Sequence, residues 1–155
     1  MNRLLATFGN TVIATAFAAT ALAATALVTT ASAQEHTAAA PGAEVYFISP
    51  RAGAVLHGPF VVRFGLKGMG IAPAGIKFDN TGHHHLLVDT DLSQLKLDAP
   101  LPVSDKIRHF GKGQTETELT LAPGKHTLEL LFADYQHVPF DPPLHSKKIT
   151  ITVEQ

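Results

Sequence analysis

From Glu44 onward the chain alternates apolar and polar positions with a period of two. Thr115-Glu116-Thr117-Glu118-Leu119-Thr120-Leu121 predicts a strand with Leu119 and Leu121 on the core face and Glu116 and Glu118 in water. Ala122-Pro123-Gly124-Lys125 turns the chain into a second such run, where Leu128, Leu130 and Phe132 share a face, and Ile149, Ile151 and Val153 form a third. Strands are expected near 44–48, 59–66, 83–90, 107–110, 114–121, 125–133 and 145–153. Glycine and proline interrupt the sequence too often for long helices, and only Leu92-Ser93-Gln94-Leu95, within the irregular stretch 91–106, suggests a single helical turn. Seven short strands without a crossover helix predict an all-β fold, an immunoglobulin-like antiparallel β-sandwich.

The first residues follow a different pattern. No charge lies between Arg3 and Glu35, the centre from Val12 to Val28 is apolar, and Ala31-Ser32-Ala33 fits the small-x-small cleavage rule. Residues 1–33 therefore read as a cleaved signal peptide, 34–43 as a flexible leader and 44–155 as the β-sandwich domain. The competing reading, a retained membrane helix, is weaker because alanine and threonine drive insertion poorly. A lipid-modified cysteine is excluded, since the chain has no cysteine. The expectation is a periplasmic protein with no membrane insertion after cleavage. With 12 Lys and Arg against 13 Asp and Glu, and no basic run, nucleic acid is not expected as a partner. An unknown envelope partner fits, and the sequence leaves the oligomeric state open.

Nine histidines stand out, three of them adjacent as His83-His84-His85. On a strand, His83 and His85 share one face at roughly 7 Å while His84 points the other way. In an immunoglobulin-like sandwich, the start of the third strand, the end of the fourth and the loop after the sixth meet at one end. That topology gathers His83, His85, His109 and His137 at a loop rim, with His84, Asp89 and Asp134 as supporting residues. Imidazoles in this number suit copper(II) or zinc, whereas Met1 and Met69 are too few for a methionine-based copper(I) site. His126, roughly 25 Å along the sixth strand, occupies the place of a corner tyrosine that bonds backbone and is expected to be structural. His57 and His145 read as solvated, and His36 belongs to the leader.

Two other readings compete with metal binding. One is a metal-free recognition module for a peptide, glycan or envelope protein, aided by the proline-rigid loop His137-Val138-Pro139-Phe140-Asp141-Pro142-Pro143; there Phe140 is either an exposed anchor or a plug of the core. The other is a structural triplet whose rings hydrogen-bond carbonyls of the glycine-rich segment Lys67–Gly82. An enzyme is not expected, because there is no cysteine, no Gly-x-Ser-x-Gly turn and no carboxylate pair at catalytic spacing.

Gly82-His83-His84-His85-Leu86-Leu87-Val88-Asp89, Phe110-Gly111-Lys112-Gly113-Gln114-Thr115, Pro123-Gly124-Lys125-His126-Thr127-Leu128 and His137-Val138-Pro139 together resemble the bacterial domain-of-unknown-function 4399 family. The likeness runs from about Val45 to Val153. One departure is Phe140, where the family often carries another histidine. The resemblance implies a small exported domain and no established activity.

Overall fold

A computed structural model describes residues 36–155, so the signal peptide expected over 1–33 lies outside the described residues. Ten strands follow in order: β1 (Glu44–Ser49), β2 (Val55–His57), β3 (Phe60–Lys67), β4 (Gly70–Ile71), β5 (Thr81–Val88), β6 (Ile107–His109), β7 (Glu116–Leu119), β8 (Gly124–Ala133), β9 (Pro139–His145) and β10 (Ile149–Glu154). One sheet has the order β1-β3-β7; the other has β2-β10-β8-β5-β4, with β6 also on β5 and β9 also on β8. Counting only the seven expected strands, the first, second and fifth form one sheet, and the third and fourth join the sixth and seventh in the other. The division of first, second and fifth from third, sixth and seventh is that of an immunoglobulin-like sandwich, with the fourth strand on the second sheet rather than the first. The additional strands β2 and β4 have only three and two residues, too few to show periodicity.

The core forms between the sheets. Val62, Phe64 and Leu119 of one pack against Leu86, Leu128, Leu130, Phe132 and Ile151 of the other. Glu116 and Glu118 face water, as the alternation requires.

β9 differs from the expected loop. It pairs antiparallel with β8, through Leu131 with His145 and Phe132 with Leu144, and the register slips before Ala133 meets Pro139. A proline-rich strand is tolerated there because it lies off the main path of the sheet, where missing N–H donors break few ladder bonds. Phe140 is 1% exposed and plugs the core, so it offers no anchor to a partner.

The stretch 91–106 covers the outer face of the β5–β8 sheet. Its short 3₁₀ turn, Leu92–Gln94, is capped by Asp91, whose side chain accepts from the Ser93 N–H. Leu92, Leu95 and Leu97 pack on a small second core of Leu101, Leu131 and Ala133. The leader also touches the domain: the Thr37 hydroxyl donates to the Asp134 carboxylate (3.2 Å), and the Asp141 N–H donates to the Thr37 carbonyl (3.0 Å).

At the start of β8, His126 takes the corner position. Its Nε2 meets the Ala122 carbonyl at 2.8 Å and its Nδ1 meets the Asp89 carboxylate at 2.7 Å. Both partners only accept, so both ring nitrogens donate, which is the imidazolium form. The Asp89 hydrogen bond raises the His126 pKa against a smaller opposing effect of burial. The contribution of His126 to stability is therefore present below pH 6.5 and lost as pH rises through the raised value. Replacing it with phenylalanine should cost about 1–3 kcal/mol, for the orphaned corner carbonyl and carboxylate. A urea titration at pH 6 would read the loss, and an unchanged midpoint would count against the corner role.

Candidate metal centre

β5 is buried on both faces, and its alternation divides the histidine triplet. His84 points into the sandwich, where its ring lies 5.2 Å from Phe64 and 5.1 Å from Phe132 between ring centroids. His83 and His85 point to the opposite face. β8 lies on one side of them, pairing Ala133 with His83 and Leu131 with His85, and β6 lies on the other, pairing His109 with His85. The β8–β9 turn then brings His137 over the same patch.

Four imidazoles meet there. Ring centroids of His83, His109 and His137 are separated by 4.9, 5.0 and 4.7 Å, each pair edge to face. His85 lies 5.0 Å from His83, 5.0 Å from His109 and 6.2 Å from His137. His83, His109 and His137 each present one ligand atom, and these atoms all lie within 4.8 Å of one another. The four expected ligands are thus brought together, but not at an exposed loop rim. The site sits on the outer face of the sheet, beside the cover formed by 91–106, and His83 and His85 are 0% exposed.

Burial without partners is the main electrostatic feature. Neither nitrogen of His83 or His85 has a hydrogen-bond partner, and Nε2 of His109 also lacks one. The rings therefore do not bond the carbonyls of Lys67–Gly82, which sets aside the structural-triplet reading. Loss of solvation, and then repulsion from the neighbouring imidazoles, lowers His83 to about 4 and His85 to about 2. His109 is lowered by the same two causes, burial and His137. Rings held neutral at pH 7 keep a free lone pair, the state that a metal ion requires.

Local structure fixes the outer two rings. His109 packs closely on Gly111, where an added Cβ would collide with its Cε1 and Nε2. The bond from the Ala74 N–H to the Gly111 carbonyl (2.8 Å) holds that approach. His137 has a φ of 69°, a left-handed conformation that a non-glycine residue adopts only when its surroundings impose it. Asp134 imposes it. One carboxylate oxygen accepts from the Gln136 and Val138 N–H groups at 2.8 and 3.0 Å, and the Asp134 carbonyl accepts from the His137 N–H at 3.0 Å.

The three expected supporting residues take other roles. Asp134 acts through the backbone of the turn and has no bond to a ring of the cluster. Asp89 orients an imidazole, but that of His126, because β5 ends there in a residue of φ 48° that bends the carboxylate toward β8. His84 is on the core side, its pKa lowered to about 4 by burial with a partial offset from the Gly65 backbone. Gly111 and the leucines of the cover also shape the site. The Phe-Gly-x-Gly spacing was the signal for the first, whereas nothing local announced the second.

A family description, "Domain of unknown function (DUF4399)", matches residues 62–154. No curated protein matches the chain. Among solved structures, the chain is similar to the fibronectin(III)-like modules of CbhA from Clostridium thermocellum, with 13% identity, a TM-score of 0.36 and coverage of 70% of this chain and 92% of that one.

Proposed function

The chain belongs to the DUF4399 family, which carries no assigned activity, and from the site itself we propose that this member is an exported, non-catalytic β-sandwich that binds a divalent transition metal, copper(II) or zinc, through its histidine cluster. One observation carries the reading: His83, His109 and His137 present ligand atoms within 4.8 Å of one another, amid buried nitrogens of His83, His85 and His109 that have no hydrogen-bond partner, a lack that His84 shares on the core side without such neighbours. Buried polar groups are almost always satisfied, and an orphaned one costs about 1–3 kcal/mol. A shared cation satisfies several at once. Zinc and copper(II) both accept imidazole nitrogen, and neutral rings present it without proton competition at pH 7.

The metal-free recognition reading has no comparable support, since Phe140, which could have been either its anchor or a core plug, is buried. Calorimetric titration of protein purified without an affinity tag tests the proposal. We expect one saturable site for zinc or copper(II) with Kd below about 10 µM, equivalent to roughly −7 kcal/mol. His83→Ala combined with His137→Ala should abolish it, while His57→Ala, at an exposed position, should leave it intact. Absence of saturable binding, or equal binding by the double variant, would remove the function.

A further inference from the structure

The reading above leaves the coordination number undecided between three imidazoles with an exchangeable fourth position and four imidazoles. Geometry separates the two. A zinc-bound imidazole nitrogen lies at about 2.0–2.1 Å, and the ring centroid about 1.1 Å further out. Four rings in a tetrahedron then have centroids about 5.1 Å apart, whereas a square plane gives four separations near 4.4 Å and two near 6.3 Å.

The six separations in the cluster include five between 4.7 and 5.0 Å and a single long one, 6.2 Å between His85 and His137. That set is close to a tetrahedron with one edge stretched by about 1 Å, a distance that a side-chain torsion closes. The ligand atoms within 4.8 Å of one another are those of His83, His109 and His137, so His85 must turn to join them. It is fully buried, both its nitrogens are unpartnered, and its ring lies against two of the other three.

We propose that His85 is the fourth ligand, and that His83, His85, His109 and His137 form a closed tetrahedral cage suited to zinc rather than to the tetragonal geometry of copper(II). This rests on the metal-binding reading and narrows it. A cage with four protein ligands leaves no position for an exchangeable water, the feature that distinguishes structural zinc sites from catalytic ones.

Cobalt(II) reports the geometry, because four-coordinate tetrahedral cobalt absorbs visible light far more strongly than five- or six-coordinate cobalt. The tag-free protein loaded with one equivalent of cobalt(II) should show the intense tetrahedral bands, and one equivalent of zinc should abolish them. X-ray absorption of the zinc-loaded protein should give four nitrogen neighbours at one distance. In His85→Ala the cobalt bands should shift in position and intensity as a water oxygen takes the place of an imidazole nitrogen. Weak bands in the unmodified protein, or bands unchanged in His85→Ala, would overturn the closed cage while leaving metal binding in place. Failure of both ions to bind would overturn the two readings together. The count of imidazole rings from multiple scattering in the X-ray absorption of the unmodified zinc-loaded protein, four for the closed cage and three for an open site, decides the matter even if the variant does not fold.

Discussion

Saturating zinc should raise the thermal midpoint of this domain by on the order of 10 °C, the largest ligand effect the structure leads us to expect. At free zinc 1,000-fold above Kd, binding only to the native state contributes about 4 kcal/mol. For a domain of this size each kcal/mol moves the midpoint by roughly 3–5 °C. The unfolded chain competes through the adjacent His83-His84-His85 but less tightly, because His109 and His137 lie far from that triplet along the chain. The metal-free fold also carries the cost of its orphaned nitrogens, part of which ligation removes. Scanning calorimetry with and without zinc, after exhaustive chelation, reads the difference. A shift under about 2 °C, on the scale of weak nonspecific binding, would contradict a specific site. His83→Ala should lose the zinc response, whereas His126→Phe should keep it on a lower baseline.

The sequence foretold the gathering of the four histidines better than their setting. Strand periodicity put His83 and His85 on one face, and the order of strands in a sandwich brought His109 and His137 to them; both inferences needed only local pattern and topology. The burial of the site was not legible. It depends on Leu92, Leu95, Leu97 and Leu101 folding back over Leu131 and Ala133, contacts between segments some thirty residues apart in a stretch without periodicity. That Asp89 orients His126 was not legible for a related reason: its side chain follows the left-handed bend at the end of β5, which no spacing rule reveals. The proline-rich strand β9 was hidden by its composition, because prolines suggest a loop until a neighbouring strand is known to accept them at its edge. His126 was legible because turn and strand start adjoin it in sequence.

Acid should unfold the metal-free protein at a pH far above that of most domains, around 5. His83 and His84 have folded values near 4 and His85 near 2, all lowered first by burial, against 6.5 in the unfolded chain. A lowered value means that the unfolded state takes up the proton first. The contribution of these three rings is therefore full above pH 6.5 and falls as pH drops toward 4, by up to about 1.4 kcal/mol per pH unit for each ring. Three rings acting together remove about 4 kcal/mol per unit, so one to two units consume most of the 5–15 kcal/mol that holds a typical domain. The His126–Asp89 pair does not reverse this within the window. Its histidine contribution persists below pH 6.5, and the Asp89 value is lowered by the His126 and Thr127 hydrogen bonds despite burial, so that contribution lasts until the carboxylate protonates. Circular dichroism of chelated protein from pH 7 to 3.5 would follow the transition. Replacing His84, which lies between Phe64 and Phe132, with phenylalanine should flatten the slope by roughly a third and leave metal affinity unchanged. Zinc should move the transition to lower pH, because a coordinated nitrogen cannot take a proton until the ion leaves. Stability that stays level down to pH 4 in the chelated protein would mean that these rings are solvated, and the buried cluster would fall with that result.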